Sequence, residues 1–560
     1  MKARPFLAAV LAAAVLLLGL GIGGWWLLLQ RSPLALQQHP LSLPLAARFV
    51  PRNVPLSLHW LVSADQPAAY LRAVARPGER RRAAAAAERL RDGVFATAGL
   101  DYASELAPWL GEEISLALLT PPAPDHPPGW VLALRSRDPE GARRFLQRFW
   151  QTRSLAGTDL QISSYRGMGL ISGRGALVAQ HPQPIATALI NDDLVLIASG
   201  RGALEQALDV SQIGDLNQAG SPQLQQAVRR LGKGVVLLTA RPGALGGWLG
   251  LPDPGAGLAP APGAAPLTAA VEELVLALAP AGRGLELAGL LQLDQPLPLP
   301  PLRDGEPLLQ QIALPASSLA LVQNPAALLA ADSPWRPLAT ALLALALPPT
   351  AGPLPALVAG ADGGPLLGAR SDQGWLLGSR QDQPDPAGLA APLAEAGYVP
   401  APLLLKQRPL LVWSQLLSKP VKGNPDQLQA RLAGARAQGP MTGADTGPGT
   451  GSDLAWWAEG LAVLETQLEG RHPPKERLRQ LELLQSPQAP LQWAMDGATA
   501  RSLLATWQPW RLLVALSGAD GSLAESLRGA ALSLEADPGA PASASRDRLL
   551  RLRGQLQFQG

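Results

Sequence analysis

The 560-residue chain contains no cysteine. Disulfides, thiolate metal sites, a cysteine nucleophile and a lipid-modified cysteine are therefore excluded. A chain of this length can bury enough apolar surface to fold without such staples. Lysine is also scarce, with six residues against 41 arginines. Basic and acidic side chains nearly balance at 47 to 44, so the broad positive excess of a nucleic-acid surface is missing. Charged residues make up only 16% of the chain and apolar residues 47%, which excludes a disordered polyelectrolyte.

Histidine occurs only at positions 39, 59, 126, 181 and 472. None stands in the spacing that sets two imidazoles on one helix face for zinc. The phosphate-cradling P-loop is absent, because Gly232-Lys233-Gly234 lacks the earlier glycine and the following hydroxyl. No G-x-S-x-G nucleophile elbow occurs either. No cofactor, metal ligand set or catalytic residue is predicted. An enzyme built on this chain would have to assemble its site from residues far apart in sequence.

What is present begins at the amino end. Lys2 and Arg4 are followed by no charge until Arg31. As a helix rising about 1.5 Å per residue, the run between them spans roughly 38 Å, more than the ~30 Å hydrocarbon core of a bilayer. It is too long for a usual signal-peptide core, and no small-x-small cleavage site follows it. It reads as an uncleaved single-pass anchor with Phe6, Trp25, Trp26 and Leu29 among its membrane-contacting residues and the lipid bilayer as partner. Gly19 and Gly23 form a GxxxG pair that permits close helix packing. Lys2 and Arg4 favour a cytoplasmic amino end, with the bulk in the periplasm or thylakoid lumen.

The remainder reads as two related halves. Leu56, Leu58, Trp60 and Val62 alternate with Ser57, His59 and Ser63, a period-two strand whose polar face, His59 included, is expected at the surface. Asp65 then caps a helix with Pro67 in its first turn, and "SSLALVQNPAALLA" repeats the plan with Asn324 and Pro325. "GWVLALRSRDPEGARRFL" (129–146) matches "GWLLGSRQDQPDPAGLAAPL" (374–393): Gly-Trp, a short strand, an arginine and an Asp/Pro helix start. "TALINDDLVLIAS" is paired with "PLLLKQRPLLVWS" as a hairpin about a polar turn, so Asp192-Asp193 are assigned to the turn and not to a cation. Strand-to-helix and hairpin pairs recur once more in each half, at "GVVLLTARPGALGGWLG" with "LQWAMDGATARSLLATW" and at the two long hairpins that follow.

The expected fold class is α+β, an N-terminal transmembrane helix followed by two similar halves with largely antiparallel sheets and packed helices. The divisions are 1–31 for the cytoplasmic terminus and anchor, 32–48 for a tether, 49–294 for the first half, 295–308 for a proline-rich link and 309–560 for the second half. Residues 251–270 and 439–453, rich in Gly and Pro, are expected to be long loops.

"GLDYASELAPWLGEEISLALL" (99–119) carries four carboxylates. Asp101 and Glu105 sit on one face of a short helix, where capping explains them better than acid-base chemistry. Trp109 is expected to plug the helix–strand junction. Seven arginines (Arg72, Arg76, Arg80, Arg81, Arg82, Arg89 and Arg91) face only Glu79 and Glu88 between positions 72 and 91. They suit contact with anionic lipid headgroups, each charge contributing roughly 1 kcal/mol near a membrane surface. No aromatic residues interleave them for base stacking, so no nucleic-acid partner is expected.

"FVPRNVPL" after the anchor, followed by the 99–118 and 129–146 stretches quoted above, resembles an uncharacterised, mainly cyanobacterial family known as domain of unknown function 3352. The resemblance implies a membrane-anchored protein of a photosynthetic bacterium. It implies no activity, and no site residues carry over. The functional expectation is an extracytoplasmic binding or scaffold protein. The alternatives are a membrane-tethered hydrolase with an unrecognised site and a carrier of hydrophobic ligands.

Overall fold

A computed structural model describes residues 32–558 except 98, 121–127, 156, 157, 159, 176–182, 248–270, 295–298, 331, 332, 334, 335, 337–356, 359–363, 381–385, 396, 407, 422, 423, 439–453, 472, 508, 509, 512, 513, 516–524 and 540–547. The fold is α+β, built on one large antiparallel sheet with helices against both faces. The first ten strands are β1 (Leu56–Trp60), β2 (Leu110–Leu118), β3 (Trp130–Ser136), β4 (Gln161–Tyr165), β5 (Met168–Gly175), β6 (Gln183–Ile190), β7 (Leu194–Ala198), β8 (Val236–Ala240), β9 (Val271–Ala281) and β10 (Gly284–Leu293). The next ten are β11 (Ser318–Gln323), β12 (Pro365–Ser371), β13 (Gly374–Arg380), β14 (Val399–Leu405), β15 (Arg408–Val421), β16 (Asn424–Gln438), β17 (Leu454–Ala458), β18 (Leu491–Asp496), β19 (Leu527–Ala536) and β20 (Leu549–Phe558).

Pairing orders the first set 4-5-6-7-3-2-1-8-9-10. The second set follows the same order with ten added to each number. The two sets meet edge to edge at β10 and β20, in a register that places Gly284 opposite Gln557 and Gln292 opposite Leu549.

This order corrects one reading of the sequence. The hairpin at Lys406 is β14–β15, whose place in the first set belongs to β4–β5 and not to the hairpin at Asp192, which is β6–β7. Each turn has its own local cause. Asn191 and Asp192 take φ of 46° and 62°, Arg166 and Gly167 take 52° and 79°, and Lys406 takes 50°, the left-handed backbone that tight antiparallel hairpins require.

Residues 32–48 are not a free tether. Two 3-10 turns, Pro33–Gln38 and Leu45–Phe49, pack Leu36, Ala46, Ala47 and Phe49 against the first half. Helices Arg201–Ser211 and Pro222–Leu231 cover the face on which Ala46 and Phe49 pack, and Leu36 and helix Pro139–Leu155 lie on the opposite one. In the second half, Leu461–Glu469 and Lys475–Leu483 lie on one face, and Leu393 and Ala500 bring helices Pro386–Glu395 and Gly497–Thr506 to the other.

The 99–119 stretch folds by reciprocal capping. Asp101 accepts from the Ser104 N–H at 2.7 Å, while Glu105 accepts from the Asp101 N–H at 2.8 Å. The Ser104 hydroxyl and N–H together hold the Asp101 carboxyl below its ordinary range. Trp109 is 1% exposed, donates Nε1–H to the Glu105 carbonyl at 2.7 Å, and packs on Phe145 with ring centroids 5.0 Å apart. Gly141 makes room for it, because a Cβ there would sit 2.5 Å from the Trp109 Cβ and 2.7 Å from Asp138 Oδ2. Gly141→Ala is expected to cost about 2 kcal/mol by overpacking, read as a lowered urea midpoint. An unchanged midpoint would mean that the junction yields.

The proposed anchor, with Phe6, Trp25, Trp26 and Leu29, lies outside the described residues, as do the expected loops 251–270 and 439–453 and part of the 295–308 link. Among the described residues no helix is long and apolar enough to cross a membrane.

Candidate functional site

A cluster of buried polar side chains lies inside the first half. His59 is 0% exposed, which reverses the expected surface position. It shares its face of β1 with Ser57, also 0% exposed, whereas Leu58 on the supposed core face is 37% exposed. The strands beside β1 complete the cluster with Ser115 and Glu113 from β2 and Thr239 from β8. Gln218, in the loop before helix Pro222–Leu231, closes it from above.

Glu113 fixes the direction of this network, because its carboxylate only accepts. Its two oxygens take the Leu45 and Ala46 N–H groups at 2.9 and 2.7 Å, satisfying the start of the 3-10 turn. Oε1 also accepts from the Ser115 hydroxyl at 3.3 Å. Ser115 Oγ lies 2.8 Å from His59 Nδ1, and His59 Nε2 lies 3.1 Å from Ser57 Oγ and 3.3 Å from Gln218 Oε1. Ser57 in turn meets Thr239 at 2.7 Å, and Gln218 Nε2 donates to Thr239 at 3.1 Å. Burial pushes His59 down to about 4, against a smaller opposing effect from Gln218, so the ring is neutral at pH 7.

A histidine flanked by two serines and a carboxylate resembles a relay for nucleophilic chemistry, which needs its serine within reach of a substrate. Here Ser57, His59, Ser115, Thr239 and Gln218 are at most 3% exposed and Glu113 is 6% exposed. The second half shows what the fold needs at these positions. By register its counterparts of Ser57, His59, Ser115 and Thr239 are Leu319, Leu321, Leu367 and Ala494, all in one apolar core. The polar cluster is therefore particular to the first half, where it ties Leu45–Phe49 and Gln218 to the sheet.

Six of the predicted arginines, Arg72, Arg76, Arg80, Arg81, Arg82 and Arg89, are exposed on and around the helices Gln66–Val74 and Arg80–Thr97. Arg91 is drawn inward, pairing with Asp65 at 2.6 Å and Asp92 at 2.8 Å with its guanidinium 4.1 Å from the Tyr102 ring centroid. Asp65 thus serves Arg91 and makes no side-chain cap bond to its helix, while Asn324 does cap its own through the Ala327 N–H at 3.3 Å. Asp192 pairs with Arg143 at 2.5 Å, and no metal-competent acidic or histidine group occurs among the described residues.

An open cleft lies where helix Lys475–Leu483 begins, with Ser317, Ser371, Asp372, Lys475 and Asp496 in its lining. Its hydroxyls already donate to the carbonyls of Arg370 and Gly374, and Asp496 caps the next helix through the Thr499 N–H at 2.8 Å.

The profile of the family described as "Protein of unknown function (DUF3352)" matches residues 10–336, more than half of the chain. The chain belongs to that family. No curated protein matches this DUF3352 chain. Two solved structures, titled crystal forms I and III of TP0453, are similar to it at 11% and 13% identity. They cover 45% and 50% of this chain and 78% and 88% of their own, each at a TM-score of 0.26.

Proposed function

We propose that this DUF3352 chain is a single-pass membrane protein whose extracytoplasmic body is two copies of one ten-strand unit and serves binding or scaffolding. One observation carries the choice over a tethered hydrolase. The side chains most like a catalytic relay are sealed from solvent, and the other half builds the same place from leucine and alanine. The charge-free run between Arg4 and Arg31 supports the anchor. Because Ser32 onward packs against the first half, the body would sit close to the bilayer, with Arg72, Arg76, Arg80, Arg81 and Arg82 exposed toward lipid headgroups.

The missing cysteines allow a direct test. Ala85→Cys, at an exposed helical position, is expressed in a bacterium without internal membranes, and spheroplasts are treated with a membrane-impermeant maleimide. Labelling before lysis is the expected result. Labelling only after lysis would place the body in the cytoplasm and overturn the topology.

A further inference from the structure

Helix Lys475–Leu483 holds, in the second half, the place that Pro222–Leu231 holds in the first. Each leads into a strand beside a central one, β8 beside β1 and β18 beside β11. Their buried positions keep the same spacing, with Leu224, Ala227, Val228 and Leu231 matched by Arg477, Gln480, Leu481 and Leu484. The first of these exchanges is costly. Leu224 joins an apolar core, whereas Arg477 brings a guanidinium to that place with its side chain only 5% exposed. Its Nη2 reaches Glu476 at 3.1 Å, on a carboxylate that is 69% exposed, and its Nη1 has no hydrogen-bond partner. A buried charged donor left unused is destabilising.

The start of the helix is unmet as well. Ser221 caps the first-half helix by accepting from the Leu224 N–H at 3.3 Å, but Pro474 brings no side-chain cap to its counterpart. The first-turn N–H groups, which lack acceptors inside a helix, are left at the cleft described above. That cleft has a volume of about 360 Å³, and Lys475 and Arg477 line it together with Asp372, Glu476 and Asp496. Lys475 and Asp372 are exposed and have no side-chain partner among the described residues. Asp496 uses Oδ1 on the Thr499 N–H.

We propose that this cleft binds a free α-amino acid, with its carboxylate at the helix start and Arg477 and its ammonium at Asp372 and Asp496. The free N–H groups and the positive end of the helix favour a carboxylate, and a guanidinium donor strengthens its hold. A simple anion would meet the three carboxylates of Asp372, Glu476 and Asp496. A simple cation would meet Lys475, Arg477 and the helix dipole. A small zwitterion answers both sets, and the volume stands at the small end of ligand clefts. The site gives the binding role proposed above its ligand. It does not depend on the anchor, so its failure would leave the maleimide test of topology untouched.

The test titrates the full chain in detergent micelles, by isothermal titration calorimetry, with each standard amino acid in turn, with acetate and with methylamine. Saturable binding of at least one amino acid is expected, with acetate and methylamine at least tenfold weaker. Affinity should fall at least tenfold in Arg477→Leu, which installs the residue of the first half, and in Asp372→Asn. Circular dichroism checks the fold of both variants. Lys475→Gln, at an exposed position, replaces Arg477→Leu if that variant does not fold, with the same loss expected. No binding of any amino acid, binding unchanged in the variants, or acetate bound as tightly as the amino acid would overturn the proposal.

Discussion

Lowering the pH from 7 to 4.5 should cost the wild-type chain about 2–3 kcal/mol more stability than it costs His59→Leu. The folded state holds His59 at about 4 against an ordinary value of 6.5. Between those two values the unfolded chain binds a proton that the folded chain refuses. The contribution of the neutral, buried ring is thus fully present above pH 6.5, is lost as pH falls toward 4, and changes no further below that. Leucine occupies the equivalent place in the second half at Leu321, so the variant has a precedent within the same fold. The neighbouring hydroxyls also keep partners, since Ser115 reaches Glu113 and Ser57 reaches Thr239. Urea midpoints of both proteins at pH 7, 6, 5 and 4.5 supply the comparison. Parallel pH profiles would show that His59 is solvated or already charged in the folded state.

Asp537→Ala is expected to lower stability by about 3 kcal/mol, the scale of an uncompensated buried charge. Arg230 lies in the last turn of the helix Pro222–Leu231 in the first half, and its Nη1 donates to Asp537 Oδ2 at 2.6 Å in the β19–β20 connection of the second. The Asp537 side chain is 4% exposed and that of Arg230 20%. The Gly539 carbonyl, 3.2 Å from Arg230 Nη2, is the one partner the variant leaves to that guanidinium in this contact. Arg230→Met with Asp537→Leu should recover much of the cost, since neither charge is then stranded. A double-mutant cycle on urea midpoints measures the coupling. Additive single variants would show that the contact carries no energy.

Local chemistry was legible in the sequence wherever a few neighbouring residues decide the backbone. Asp101, Ser104 and Glu105 specify their cap, Trp109 its junction, and the Gly-Trp strands at 129 and 374 run into helices at Pro139 and Pro386. The face of β1 was misread for a physical reason. Period-two alternation separates two faces, but it tells which one is wet only if one of them is wet. With helices on both sides of the sheet, the polar residues of β1 found one another across strands, and its leucines took the more open side. The likeness between the hairpins at Asp192 and Lys406 failed for a related reason. Two apolar runs about a polar turn identify a hairpin and not its neighbours, and place is set by pairing across distant strands. The match of place between Leu224 and Arg477 depends on the same long-range pairing, which no local pattern encodes.

The seam between β10 and β20 also sets a timetable. Every strand of the first unit has been made by Leu293, yet the partner of β10 arrives about 255 residues later, a delay of roughly 13–50 s at ~5–20 residues per second. Throughout that interval the growing chain carries a sheet whose β10 border lacks its partner, able to pair with the same border of another nascent chain. A ribosome that stops before Leu549 would release that border permanently. Strand β20 is therefore the one that covers the β10 edge, and its integrity decides whether the first unit stays solitary.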